Sequence, residues 1–290
     1  MARTKRVEPE PRALSPFPAG TRAILRQGPE AVAYHIPVSP STDDGTPLKS
    51  TIALPRHSAW TSGLHFHATH TEYLRLIKGA IFVELNNKMK FISALVGGEV
   101  DGTGQLVQSG LIIEVPRYAF HNWGRLEHHN DSARSPGRRA QHEDILPEDW
   151  TEEVIVEEWT DPSDIAKPLF FWNLNGIITA PGEAILPKRQ SLAKGLLGSL
   201  WVDLQLFLVF WELDNWPVFN VFRTISPASD SHLCTLRVLD ATKMLVSFGA
   251  LLLAKLFGTL LGLKAVEKRR TPDALWEAYK KSQYGHSSRY

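Results

Sequence analysis

The stretch HFHATHTEYLRLIKG, residues 65–79, carries the densest chemistry in the chain. On an extended strand side chains alternate between faces, so His65 and His67 project to the same side and both imidazoles can reach one ion. A bend after them can bring Glu72 to a third corner. Two neutral nitrogens and one carboxylate suit Fe(II), Mn(II), Ni(II) or Zn(II) and leave open positions for water, oxygen or substrate. A structural zinc would instead prefer four closed protein ligands, usually cysteines, and this chain has only Cys234.

Outward from that stretch, residues 22–125 repeat short β-branched or aromatic runs separated by turn signals: AVAYHIPV at 31–38, STIAL at 50–54, AIFVELNNKMKFISAL at 80–95 and GLIIEVP at 110–116. This is strand grammar, and antiparallel strands so spaced favour a barrel or sandwich. Asn86 and Asn87, followed by Lys88, mark a hairpin, because asparagine tolerates the left-handed backbone of a tight turn. A second piece, GLIIEVPRYAFHNWG at 110–124, places His121 just after a strand and a proline-marked bend, where it can complete a set with the first three.

Together the two pieces resemble the paired motifs of the cupin superfamily. The first motif is HxH, a gap of three or four residues, Glu, a gap of six and Gly; here it is His65, His67, Glu72 and Gly79. In the second, Gly110, Pro116 and His121 match in spacing, while Ala59, Tyr118 and Arg125 stand where the family has glycine, glycine and asparagine. The resemblance covers residues 50–125 well and 150–175 loosely. It implies a mainly β fold, a double-stranded β-helix or jelly-roll barrel, with one divalent transition metal in its mouth held by His65, His67, Glu72 and His121. Similarity to single-domain cupins of microbial and fungal small-molecule pathways puts Fe(II) first, with Zn, Mn or Ni as alternatives.

Other side chains are candidates for the chemistry. His70 lies between two ligands and is either a proton shuttle or an outward-facing surface residue. Tyr73 and Arg75 alternate with Leu74 and Leu76, so one set lines the interior and the other leaves it. Facing inward, Tyr73 would bind or protonate a substrate oxygen and Arg75 would hold a carboxylate. Tyr118, Phe120 and Trp123 bracket His121 as pocket walls or as ordinary core.

Charge and composition exclude several classes. The 32 Lys plus Arg against 31 Asp plus Glu leave a net charge of +1, too little field to hold nucleic acid. One cysteine rules out an intramolecular disulfide and a disulfide-framed secreted module, which favours an intracellular protein. No Gly-rich phosphate loop precedes a helix, and no GxSxG is present.

The organisation expected is a flexible segment at 1–21, a β-barrel domain at 22–180 and a hydrophobic helical region at 181–290. Within the second, the polar stretch 126–150 reads as a surface excursion with the makings of a lid. EEVIVEEWTDP at 152–162 reads as a returning strand, after which Phe170, Phe171, Trp172 and Leu174 pack back on the sheet. After Pro187 the texture changes to long apolar runs at 191–214 and 244–263. The second is long enough to cross a bilayer and is followed by Lys264, Lys268, Arg269 and Arg270, although Lys255 inside it costs about 3 kcal/mol on insertion scales. Three readings stand: a membrane anchor, a helical pair buried in a homodimer interface or against the barrel, and the lip of a lipophilic substrate pocket. TPDALWEAYKKS at 271–282 reads as an amphipathic helix opened by Thr271 and Pro272.

The function expected is metal-dependent catalysis on a small organic molecule, a lipophilic one among the options, first as an Fe(II) oxygenase. An isomerase, cyclase or dehydratase and a non-catalytic binding cupin are the alternatives.

Overall fold

A computed structural model describes residues 8–42, 44–126, 152–179, 187–219 and 233–287. The stretch expected to form a lid lies, apart from Leu126, outside them.

Two antiparallel sheets share one apolar core. The first holds β1 (Thr21–Arg26), β2 (Val32–Pro37), β3 (Ser50–Leu54), β12 (Val154–Asp161), β5 (Thr71–Lys78) and β10 (Ile112–Val115), in that spatial order. The second holds β13 (Trp216–Pro217), β4 (His65–Phe66), β11 (His121–Arg125), β6 (Ala80–Leu85), β7 (Lys88–Ser93), β8 (Gly98–Val100) and β9 (Leu106–Ser109). Tyr34, Ile52, Leu74 and Val156 from one sheet and Ile81, Val83 and Trp123 from the other are buried in the same cluster. The pleat explains the alternation: along β12, Val154, Val156 and Glu158 are buried while Ile155 and Glu157 are only partly covered.

The closed barrel and the mainly β class expected from the sequence are both corrected here. Neither sheet closes on itself; one ends in β1 and β10 and the other in β13 and β9. Among the described residues helix also outweighs strand. Local strand grammar gives the period of each strand but not its far neighbour, and closure is decided by those neighbours. Five helices follow among the described residues: α1 (Ala166–Thr179), α2 (Lys188–Leu197), α3 (Leu200–Glu212), α4 (Leu233–Leu261) and α5 (Asp273–Ser287), of which α1, α3 and α5 add buried residues to the shared core.

Several local expectations are met. Asn86 and Asn87 take φ of 49° and 62° between β6 and β7, whose Leu85 and Lys88 pair, so the hairpin turn is the asparagine turn anticipated. Gly79 sits at φ 79° between β5 and β6, where a Cβ would meet the carbonyl oxygen of Glu153 at 2.7 Å. Tyr118, in place of the motif's glycine, adopts the left-handed conformation itself, at φ 63°. The returning strand is β12, and Phe170, Phe171 and Trp172 on α1 are buried in the core.

The N-terminal and C-terminal segments both pack on the sheets. The Phe17 ring packs in a T-shaped arrangement with His35 of β2, with centroids 5.0 Å apart, and the amide of Leu14 donates to His35 Nε2 at 3.1 Å. At the other end β13 pairs with β4, opposing Pro217 to His65 and Trp216 to Phe66. The ligand strand β4 is thus held between β11 and a piece of the C-terminal region.

Candidate metal centre

Register brings the four expected ligands together. His121 on β11 stands opposite His65 on β4. His67 follows on the same face, and Glu72 reaches in from β5 of the other sheet. One ligand atom from each of His65, His67, Glu72 and His121 lies within 4.8 Å of all the others, and all four residues are buried.

Each imidazole is oriented by its other nitrogen. His65 Nδ1–H donates to the Gly63 carbonyl at 2.8 Å, His121 Nδ1–H to the Ala119 carbonyl at 3.0 Å, and His67 Nδ1–H to the Asp214 carbonyl. These bonds leave Nε2 as the lone-pair nitrogen on all three rings, the tautomer a metal requires. His121 Nε2 lies 2.8 Å and His67 Nε2 3.4 Å from Glu72 Oε2. His67 Nε2 is buried without a hydrogen-bond partner, which is costly unless something accepts its lone pair. Burial holds the His65 pKa well below the ordinary histidine value, helped by His121 and His67, and burial also lowers that of His67. Both are therefore neutral, ligand-ready imidazoles at neutral pH. The donor set fits a divalent transition metal.

Two residues that the motif does not include complete the surroundings. Lys167, in the first turn of α1, is buried and bonds Glu72 Oε1 through Nζ, which also lies 3.1 Å from Glu158 Oε2. Burial works against the Lys167 charge, but Glu158 and Glu72 outweigh it and raise its pKa. Burial likewise pushes the Glu72 carboxyl up, and Lys167 and His67 outweigh it, holding it well below the ordinary range. Glu158, on β12, accepts from Trp123 Nε1 at 2.8 Å and has its pKa raised by burial, despite Lys167.

Asp214 is the second. Its carboxylate accepts from the amides of Ala68 at 2.8 Å, Thr69 at 2.9 Å and His70 at 3.1 Å, from the Thr69 hydroxyl at 2.7 Å and from His70 Nδ1 at 2.7 Å. Those bonds outweigh the effect of burial and lower its pKa. The loop between ligands His67 and Glu72 is therefore fastened to the turn after α3.

The other sequence candidates fall elsewhere. His70 is buried, bonded to Asp214 on one nitrogen and to Asp164 at 3.1 Å on the other, and these two carboxylates, Asp164 first, raise its pKa to about 9. Tyr73 and Arg75 lie on the face of β5 opposite Glu72: Tyr73 stacks on Trp159 with centroids 5.5 Å apart, and Arg75 lies 3.8 Å from Glu157. Phe120 and Trp123 are buried, whereas Tyr118 is exposed.

A cavity of about 250 Å³ opens beside the cluster. Tyr34, Trp60, Phe170, Phe171 and Phe210 give it aromatic walls, and His65, Lys167 and Glu158 border it. Phe210 and Leu206 belong to α3, so the C-terminal region supplies part of the wall.

Two facing antiparallel sheets with this ligand set between them define a cupin-like fold with a buried cluster of three histidines and one glutamate. No protein-family model matches the chain, and no curated protein does. Among solved structures it is similar to KdgF from Halomonas sp., at 13% identity and TM-score 0.26 over 47% of this chain and 84% of that one. It is also similar to a cupin-2 domain from Rhodospirillum rubrum, at 12% identity and TM-score 0.28 over 49% and 70%. A third is a predicted oxalate decarboxylase from Thermotoga maritima, at 14% identity and TM-score 0.28 over 48% and 90%. Likeness this distant leaves function to be argued from the chain's own side chains.

Proposed function

We propose that the chain is a metal-dependent enzyme acting on a small, largely apolar organic molecule of secondary metabolism, with an Fe(II) oxygenase as the first reading. The observation that carries it is the convergence of three Nε2 lone pairs and Glu72 beside an aromatic-walled cavity that His65 borders. Held by His65, His67, Glu72 and His121, such an ion would supply Lewis acidity or, as Fe(II), oxygen activation.

The chain's own groups do the rest. Main-chain carbonyls at residues 63, 119 and 214 fix the three rings, so no reorganisation is needed for them to act as ligands. Lys167 keeps Glu72 ionised and holds its Oε1, so that Oε2 faces the Nε2 atoms of His67 and His121 as a fellow ligand atom. Trp60, Phe170, Phe171 and Phe210 exclude water and accept a flat apolar molecule.

A second reading, an isomerase, cyclase or dehydratase, is favoured by Glu158 and Lys167. They border the same cavity as a buried carboxylate and ammonium 3.1 Å apart, able to accept and return a proton at substrate. Oxygen consumption by the Fe(II)-loaded protein over a panel of phenols and enolic acids separates the two. Uptake that is lost in His65→Ala supports the oxygenase; a product formed at full rate without oxygen supports the isomerase. A metal that admits no exogenous ligand, such as nitric oxide on Fe(II), would make the protein a binding module instead.

We also read the chain as membrane-associated, which the one described helix long and apolar enough to cross a bilayer, Val238–Leu261, supports.

A further inference from the structure

α4 carries two opposite stripes. Lys243, Ser247, Leu251, Ala254 and Gly258, spaced three or four apart, form the packed one. Ser247 Oγ donates to the Pro217 carbonyl at 2.6 Å, and a Cβ on Gly258 would meet Leu208 of α3 at 2.6 Å. From between the stripes Lys255 pairs with Glu212 at 2.9 Å. The other stripe faces solvent, where a soluble helix would carry polar residues, yet it holds Leu245, Leu253, Leu256 and Leu260, exposed by 55–70%.

α2 extends this surface. It meets α3 at a bend of 112°, and Arg189 and Gln190 donate to the carbonyls of Leu260 and Leu261 at 2.8 and 3.1 Å, so it is fastened to the C-terminal end of α4. Its Leu192 and Leu196 are 68% and 80% exposed. Within the patch the charge is basic: residues 188–202 and 241–266 contain no Asp or Glu, and Lys188, Arg189 and Lys264 are exposed. Of the acids at its borders, Asp240 is paired with Lys243 and Glu267 with Arg269 and Arg270, while Asp203 is exposed on α3.

An apolar surface flanked by the exposed cations Lys188, Arg189 and Lys264 is complementary to an anionic lipid headgroup layer above hydrocarbon. The packed stripe rules on orientation. Turning α4 across the bilayer would carry the Lys255–Glu212 ion pair and the β13–β4 pairing attached to α4 into hydrocarbon, at the cost of desolvating them. We propose that the α2–α4 surface seats the protein in one leaflet of an anionic membrane, with α4 lying in the interface plane. This rests on the membrane reading above and adds to it a lipid charge and a geometry.

The full chain is tested by flotation with extruded vesicles of phosphatidylcholine, alone or with about one third phosphatidylserine. The seat predicts about tenfold or greater preference for the anionic vesicles, reduced by Lys188→Gln with Lys264→Gln. It also predicts that Leu192→Glu with Leu256→Glu abolishes binding while circular dichroism and metal content stay unchanged. Equal binding to both vesicles would overturn the charge-read seat and keep membrane contact. Binding to neither would overturn both, and a dimer split by Leu256→Glu would then give the surface to a second copy of the chain.

Discussion

His67 donates its Nδ1–H to the main-chain carbonyl of Asp214, a residue 147 positions further along the chain. Through this bond and the pairing of β13 with β4, the C-terminal region sets the tautomer and position of a central ligand. The helical third of the chain is thus part of the buried histidine–glutamate cluster's framework as well as its cover.

Asp214→Ala removes five acceptor contacts from residues 68–70 and leaves buried donors unpaired. The expected cost is about 3 kcal/mol of stability in urea unfolding. Metal affinity should fall about 10- to 100-fold, read by competition with a chelating dye. Unchanged metal affinity would separate the loop from the ligands.

Lys167→Met leaves Glu72 and Glu158 as two buried carboxylates without a cation. Loss of one partner from a buried pair costs about 3–5 kcal/mol, and the variant should unfold at correspondingly lower urea. Adding Glu158→Gln removes one of the stranded charges and should recover part of the loss. If the double variant is no more stable than the single one, the Lys167–Glu158 contact is not an energetic unit.

How much of this was legible in the sequence follows from the distances involved. The cluster of His65, His67, Glu72 and His121 was, because HxH spacing on a strand and a turn ahead of His121 are local facts. Lys167 was not, because nothing in KPLFFW marks that lysine as buried against a carboxylate 95 residues earlier. Asp214 sits among aromatic residues whose apolar run was visible but whose partners were not. Tyr73 and Arg75 looked equivalent to Leu74 and Leu76 by period alone; the buried position of Glu72 assigns the inner face to Glu72, Leu74 and Leu76. Closure of the sheets failed as an expectation because it depends on which strands become far neighbours, and the period within each strand does not carry that information.

Acid should loosen the N-terminal attachment. Burial lowers the pKa of His35, so its neutral form is the one the folded protein keeps. The unfolded chain then binds the proton more readily, and this contribution to stability is fully present above the unfolded histidine value of about 6.5 and is lost as pH falls from there toward the folded value. His35→Gln should flatten the pH dependence of urea unfolding between about pH 6.5 and 5 relative to the parent chain. Parallel slopes in the two proteins would remove His35 from the account.

The central claim is that His65, His67, Glu72 and His121 hold a metal. Elemental analysis of protein purified without added metal, with His67→Ala prepared in parallel, tests it directly. About one transition metal per parent chain and almost none in the variant, with matching circular dichroism, is the result expected. No metal in either protein, and none taken up by the parent chain from Fe(II), Mn(II), Ni(II) or Zn(II), would contradict it.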